Sequence, residues 1–185
     1  MRKEFRLAGA GGQGVISAAI ILADAIASRT DLYVAQTQTY GPESRGGASR
    51  ADVIVSDSQV DYPEVSKPEY LLVMTQEACA KYAKDLAPGG VLIADSTYVR
   101  EIPAVDGTVE RYPITEKARE IGGEIAANMI GLGILAGFGG VVSAEVLEEA
   151  VMERLPRKTW DLNRKALRHG FEVGRKMAAE GRDVD

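Results

Sequence analysis

The sequence of 185 residues has few of the side chains that redox and metal centres require. It contains one cysteine, Cys79, and one histidine, His169. It therefore lacks the clustered thiolate or imidazole ligands that hold an iron–sulfur cluster or a structural zinc ion. A single thiol also excludes an internal disulfide, which predicts a reducing compartment. We expect no metal site and no covalent cross-link on this chain.

Positive charge and long apolar runs are also scarce. The chain has 22 Lys and Arg against 27 Asp and Glu, a net charge of −5, and no basic cluster, so we expect no nucleic-acid surface. Its longest apolar stretches are shorter than the ~18 residues that a membrane span needs. No signal peptide precedes the first strand-like run. These features together predict a cytoplasmic protein with no membrane contact.

Short apolar runs alternate with helix-like segments along the chain. Strands are predicted over 4–8, 32–37, 51–56, 70–74, 91–94 and 109–114, and helices over 15–28, 75–86, 143–155 and 159–179. Thr75 is the expected N-cap of the helix after the fourth strand, and Thr115 that of a short helix. The alternation favours one three-layer α/β/α domain over residues 1–185, with a mostly parallel, Rossmann-like sheet.

A glycine-rich loop lies between the first strand and the first helix. Gly9, Gly11 and Gly14 have G-x-G-x-x-G spacing, and the loop also contains Gly12 and Gln13. Such a loop lets a phosphate approach the N-terminus of the helix. A dinucleotide site usually has an acid at the end of the second strand, but the sequence there is Ala-Gln-Thr-Gln over 35–38. The alternatives are a tight turn without a ligand, a different phosphate-bearing ligand, or a loop that docks a partner.

A second loop follows the second strand as Tyr40-Gly-Pro-Glu-Ser-Arg-Gly-Gly-Ala-Ser49. Arg45 beside the bare backbone of Gly46 and Gly47 could hold a carboxylate or a phosphate. The alternative is an internal ion pair between Arg45 and an acid such as Glu43. Because the C-terminal ends of parallel strands carry the sites of α/β proteins, we expect the two loops to lie close together.

The two motifs in this order resemble the gamma subunit of 2-oxoacid:ferredoxin oxidoreductases, in the pyruvate/ketoisovalerate family. The likeness continues at 61–65, 76–77, 88–90 and 128–133, so it extends over nearly the whole chain. The resemblance implies a non-catalytic subunit in a complex that decarboxylates a 2-oxoacid, transfers the acyl group to coenzyme A and passes electrons to ferredoxin. Thiamine diphosphate, magnesium and the iron–sulfur clusters then belong to other subunits, of alpha, beta and possibly delta type.

The resemblance also suggests a site and a substrate. It makes both loops candidates for the coenzyme A region or for subunit docking: Gly9, Gly11, Gly12, Gln13, Gly14, Tyr40, Ser44, Arg45, Gly46 and Gly47. The run Ser44–Gly47 is more like the 2-oxoglutarate and branched-chain types than the pyruvate type, and 2-oxoglutarate is favoured. An indolepyruvate enzyme is a close alternative. Two rival functions are a free-standing NAD(P)-dependent oxidoreductase and a purely structural docking module. A chain made for a complex can also form a homodimer when isolated.

The remaining features have structural interpretations. The glycines of 131–140 predict close packing within the domain or, alternatively, at a subunit interface. Cys79 is expected to be buried, His169 to be a surface or capping residue, and 95–97 to form a turn. The acidic run from Glu145 to Glu153 predicts a solvated helix face. Trp160 is expected to anchor a core or an interface.

Overall fold

A six-stranded sheet runs through the centre of the computed structural model, which describes residues 1–39 and 47–181. The sheet has the strand order β2-β3-β1-β4-β5-β6. In chain order, the strands are β1 (Arg2–Ala10), β2 (Tyr33–Thr39), β3 (Ala48–Ser56), β4 (Tyr70–Val73), β5 (Gly90–Asp95) and β6 (Gly107–Tyr112). Two of the strands, β2 and β6, are therefore edge strands.

The sheet is mixed, and its one reversed strand is β3. Parallel ladders join β1 to β4, β4 to β5 and β5 to β6, whereas β3 runs antiparallel to both β1 and β2. The predicted mostly parallel α/β sheet is confirmed, because every strand except β3 points the same way. The consecutive strands β2 and β3 thus pair antiparallel with each other.

Helices cover both faces of the sheet. They are α1 (Val15–Arg29), α2 (Gln76–Tyr82), α3 (Ile114–Ile121), α4 (Ala127–Gly139), α5 (Ala144–Arg154) and α6 (Trp160–Glu180). The larger apolar cluster joins one sheet face to α1 and α4, and the smaller one joins the other face to α2. No helix within residues 1–39 and 47–181 is long and apolar enough to cross a bilayer.

Local sequence accounts for several helix ends. The Thr75 side chain accepts a hydrogen bond from the backbone N–H of Ala78, as an N-cap should, so that prediction is confirmed. The prediction for Thr115 is wrong. Helix α3 begins at Ile114, so Thr115 lies inside the helix, and its hydroxyl instead donates to the buried Asp95 carboxylate at 2.6 Å.

Glycines allow α4 and α6 to pack with their backbones in contact. A Cβ at Gly133 would lie 2.4 Å from the carbonyl oxygen of Leu167, and one at Gly170 would lie 2.1 Å from that of Ile130. Gly137 and Gly174 repeat this contact one helical turn later. Packing within the domain therefore explains the Gly133 and Gly137 pair. The matching pair on α6 was not recognised in the sequence.

The acidic face of α5 is only partly solvated. Glu149 and Glu153 are exposed and pair with Arg29, but Glu148 is only 7% exposed. Its carboxylate forms ion pairs with Arg164 and Arg168 of α6. The prediction of a solvated face is therefore wrong at Glu148, because α6 packs over that position.

Candidate functional site

The glycine loop joins β1 to α1 and is held in shape by Gln13. The Gln13 Oε1 atom accepts a hydrogen bond from the backbone N–H of Ala10 at 2.8 Å, and the Gln13 backbone N–H donates to the Ala10 carbonyl at 3.2 Å. Gly12 and Gly14 have φ angles of 87° and 75°, in the region that favours glycine. The amide of Gln13 is thus used inside the loop, so Gln13 acts here as a brace.

Asn128 at the start of α4 holds the other end of the loop. Its Nδ2 donates to the carbonyl of Gly14 at 3.1 Å, and a Cβ at Gly14 would lie 2.4 Å from the same nitrogen. The Asn128 Oδ1 atom is buried, and it has no partner in the described part of the chain. The loop is therefore fixed both to itself and to α4. In the sequence Asn128 only begins the family-like run 128–133, and that pattern does not predict this contact.

Gly11 and Gly12 form the open crest of the loop. A Cβ at either residue would have no heavy atom within 4 Å. Within residues 1–39 and 47–181, their backbone N–H groups have no hydrogen-bond acceptor. Gly9, in contrast, is packed tightly, because a Cβ there would lie 2.5 Å from the Gln13 Oε1 atom. Among the glycines of this loop, Gly11 and Gly12 are therefore the ones that present free backbone to a ligand or a partner.

Two depressions flank this crest. The Asn128 cavity, of about 220 Å³, is lined by Gly12, Gln13, Gly14, Met74, Thr115, Glu124, Ile125, Ala127 and Asn128. The Ser49 cavity, of about 390 Å³, is lined by Ala10, Gly11, Gly12, Gly14, Val15, Ile16, Ser17 and Ser49. Their charge differs, because the Asn128 cavity includes the Glu124 carboxylate and the described lining of the Ser49 cavity has none. A phosphate would therefore be better accommodated in the Ser49 cavity, at the N-terminus of α1.

Glu124 keeps its negative charge near the Asn128 cavity. Hydrogen bonds from the Arg119 guanidinium and the Tyr98 hydroxyl lower the pKa of the Glu124 carboxyl. The same carboxylate raises the pKa of Tyr98 by accepting its hydrogen bond. The group is fully ionised at neutral pH and favours a hydrogen-bond donor over an anion.

The second predicted loop has only its last residues in the described part of the chain. Residues 40–46, which include the candidates Tyr40, Ser44, Arg45 and Gly46, lie outside the described residues. Gly47 is described and half-buried, and it leads into β3, where Ala48 pairs with Ala10 and Ser49 with Gly9. The described end of this loop thus adjoins the glycine loop. The antiparallel start of β3 brings this end of the loop to the C-terminal end of β1.

The ribose-binding acid of a dinucleotide site has no counterpart in this geometry. In such sites a parallel strand beside the first one ends close to the glycine loop and carries a carboxylate. Here the neighbours of β1 at that point are Ala48, at the start of β3, and Met74, just after β4. Neither residue is acidic, so the described residues do not favour the alternative of an NAD(P)-dependent oxidoreductase.

Three other candidates have structural roles. Cys79 is buried, and burial raises the pKa of its thiol, so it is a poor nucleophile. His169 is half-buried, and its Nε2 lies 2.6 Å from the Tyr112 hydroxyl, which fastens α6 to the end of β6. Asp95 accepts a hydrogen bond from the backbone N–H of Thr97 at 3.0 Å, so the predicted turn is confirmed. The described residues contain no group of acids, histidines or cysteines that could hold a metal ion.

Comparison with known families gives a match over residues 4–173, to the family described as pyruvate ferredoxin/flavodoxin oxidoreductase. This match includes the glycine loop, the second loop and Asn128. The chain belongs to the pyruvate ferredoxin/flavodoxin oxidoreductase family. The predicted relationship is thereby confirmed.

Individual members of this oxidoreductase family differ in their similarity to the chain. The 2-oxoglutarate synthase subunit KorC of Methanothermobacter marburgensis is 45% identical over 188 residues, with 98% of this chain and 99% of that protein covered. The ketoisovalerate oxidoreductase subunit VorA of Methanothermobacter thermautotrophicus is 35% identical over 179 residues, with 92% of this chain but 36% of VorA covered. The family domain thus occurs both as a separate chain and as part of a longer one.

A solved structure of the oxidoreductase family has the same fold. The gamma subunit of a keto/oxoacid ferredoxin oxidoreductase from Geobacter sulfurreducens matches with a TM-score of 0.87 and 43% identity, with 95% of this chain and 98% of that chain covered. The predicted gamma-type architecture is therefore confirmed over nearly the full length.

Proposed function

We propose that this chain is the gamma-type subunit of a complex that oxidatively decarboxylates 2-oxoglutarate, with coenzyme A as acyl acceptor and ferredoxin as electron acceptor. The observation that carries the proposal is the 45% identity with a KorC subunit over almost the whole of both chains. A ketoisovalerate subunit reaches only 35%. We expect a subunit to diverge together with the substrate-specific subunits of its complex. The higher identity to the KorC subunit therefore favours 2-oxoglutarate as the substrate.

The chain supports the complex without performing its chemistry, and residues 1–185 act as one domain in the cytoplasm. One cysteine cannot hold an iron–sulfur cluster, and the described residues contain no metal-binding group. Thiamine diphosphate, magnesium and the clusters are then carried by alpha- and beta-type subunits, and possibly by a delta-type subunit. We expect the isolated chain to be inactive.

Within this function, we assign the crest of the glycine loop and the second loop to the coenzyme A region. In the described part of the chain, the backbone N–H groups of Gly11 and Gly12 have no acceptor and the lining of the adjacent Ser49 cavity has no carboxylate, which supports an anionic ligand there. The sequence of the second loop also contains Arg45, whose positive charge would favour an anionic ligand. Subunit docking alone is the competing role for the same loops.

Purification of the tagged chain from its native host tests the assignment. Under anaerobic conditions we expect thiamine- and cluster-bearing subunits to co-purify, and the eluate to reduce a dye only with both a 2-oxoacid and coenzyme A. Activity highest on 2-oxoglutarate confirms the substrate. Activity highest on pyruvate or a branched-chain oxoacid contradicts it, and a chain without partners contradicts the subunit role.

Gly11→Leu separates the coenzyme A role from docking. Because a Cβ at Gly11 would have no described heavy atom within 4 Å, we expect the variant to fold normally and to block only the outer surface. We expect the Michaelis constant for coenzyme A to rise at least about tenfold, as for a loss of about 1.4 kcal/mol of binding, while assembly persists. Ala27→Leu, on an exposed part of α1, is the matched control. Loss of assembly with Gly11→Leu would instead assign the loop to docking.

A further inference from the structure

The Asn128 cavity lies where the order of strands in the sheet changes direction. Its wall joins the glycine loop after β1 to Met74, just after β4, and β1 and β4 are parallel neighbours. From β1 the chain continues to β2 at one edge of the sheet, whereas from β4 it continues to β5 on the other side. Open α/β sheets bind ligands in the crevice at such a point, beyond the carboxyl ends of the strands. The cavity therefore has the position of a binding site.

The side chains of this cavity offer hydrogen-bond acceptors. The Asn128 Oδ1 atom is buried and has no partner among residues 1–39 and 47–181. Its orientation is fixed, because the Nδ2 atom of the same amide donates to the carbonyl of Gly14. The Thr115 hydroxyl donates its hydrogen to Asp95, so its oxygen is left as an acceptor. Because an unpaired buried acceptor is costly, the cavity favours a ligand group that donates hydrogen bonds.

An uncharged donor suits the cavity better than an ammonium group. The Glu124 carboxylate already accepts hydrogen bonds from the Arg119 guanidinium at 2.9 Å and from the Tyr98 hydroxyl at 3.0 Å. Arg119 balances the charge of Glu124, so a second cation would gain little there. Met74 and Ile125 contribute apolar side chains to the wall, and a methionine sulfur packs well against an aromatic ring. This combination suits an amino group on a flat aromatic ring.

We propose that the Asn128 cavity binds the adenine base of a nucleotide whose phosphates lie over the crest and the Ser49 cavity. The proposal rests on the proposed function and specifies that this chain holds the nucleotide end of coenzyme A. Both cavities are lined by Gly12 and Gly14, so one ligand can lie across the crest. An asparagine amide matches adenine, because its oxygen accepts from the amino group of the base and its nitrogen can donate to a ring nitrogen.

The Ser49 cavity distinguishes among adenine nucleotides. Its described lining has no carboxylate, so it suits a phosphorylated ribose better than the free ribose diol of a nicotinamide dinucleotide. The N-terminus of α1 adds a partial positive charge at this place. Coenzyme A carries a phosphate on its ribose, whereas NADH does not. The nucleotide portion of coenzyme A, adenosine 3′,5′-bisphosphate, is therefore the matching probe.

Ligand binding to the isolated full-length chain tests the base contact without changing the protein. By saturation-transfer NMR we expect adenosine 3′,5′-bisphosphate to bind about tenfold more tightly than inosine 3′,5′-bisphosphate, because inosine places an acceptor oxygen where Asn128 needs a donor. Equal affinities, or no binding of either nucleotide, overturn the inference and leave the proposed function standing, since co-purification of the complex tests that separately. Tighter binding of ADP than of adenosine 3′,5′-bisphosphate overturns the assignment to coenzyme A in favour of a free nucleotide.

Asn128→Ala separates recognition of the base from support of the loop. Loss of the contact with Gly14 alone should weaken both bisphosphates equally, whereas loss of the Oδ1 acceptor should abolish the preference for adenosine over inosine. We expect the preference to disappear. Asn163→Ala is the matched control, because the Asn163 amide also donates to a backbone carbonyl, that of Thr159 at 2.9 Å, and this variant should keep the wild-type preference. A preference that survives in Asn128→Ala overturns the inference.

Discussion

Arg6 lies in the middle of β1, between two fully buried apolar side chains, Phe5 and Leu7. Its guanidinium donates to Asp52 at 2.7 Å, to Asp85 at 2.8 Å and to the carbonyl of Val65 at 2.6 Å. A buried charge remains stable only when its hydrogen bonds are satisfied in this way. The guanidinium thus ties β1 to β3 and to the segment that leads into β4.

Replacing one member of this group should be much worse than replacing two. Arg6→Met leaves the Asp52 carboxylate, 4% exposed, without its main partner, and we expect the free energy of unfolding to fall by about 3–5 kcal/mol. Arg6→Met combined with Asp52→Leu should recover most of that loss, because no buried charge at this pair remains. Urea unfolding followed by circular dichroism measures both variants. An equal or larger loss in the double variant would show that the ion pair itself is net stabilising.

At the scale of elements, the contact between α4 and α6 depends on glycines that face each other. Two glycines four residues apart occur in each helix, and each glycine of one helix faces the backbone of the other. Dispersion contacts between closely packed backbones are individually small but numerous. The close spacing of α4 and α6 also places His169 of α6 beside Tyr112 at the end of β6.

Gly133→Ala should weaken this contact. A Cβ at 2.4 Å from the Leu167 carbonyl oxygen must push the helices apart, which we expect to cost about 3 kcal/mol, the upper end for overpacking. Alanine recovers only about 1 kcal/mol through its better helix propensity. A thermal unfolding scan should therefore show a lower midpoint. Gly181→Ala is the control, because its nearest neighbour would lie at 3.5 Å, and it should be nearly neutral.

The strand order decides where the two loops meet. Sequence periodicity predicts that strands exist but does not show which strands pair. The described residues Gly47 to Ser49 lie beside the glycine loop, as predicted from the C-terminal ends of the strands, and residues 40–46 lie outside the described part of the chain. Because β3 inserts antiparallel between β1 and β2, the loop after β2 leads directly into the strand that pairs with Ala10.

At the scale of the whole molecule, the reversed β3 separates this fold from a dinucleotide-binding domain. In a dinucleotide-binding domain a parallel strand would end beside β1 and provide the ribose-binding acid. Here that place is occupied by Ala48, the first residue of the antiparallel strand β3. We expect NADH fluorescence to stay unchanged when the isolated chain is titrated into it. Quenching or enhancement that saturates with the chain would support the NAD(P) alternative. A dehydrogenase with a known NADH site is the positive control.

The sequence by itself determined the α/β class, most strands, the Thr75 cap and the family, because these depend on short apolar runs, local hydrogen bonding and two loop motifs. It also indicated that one lone cysteine and one lone histidine cannot form a metal centre. Only the tertiary structure decided the reversed β3, the burial of Arg6 and Glu148, the brace formed by Gln13 and the contact from Asn128 to Gly14. The physical reason is that each of these depends on a neighbour distant in sequence or on a loop conformation, and residue type and spacing do not encode which groups will meet.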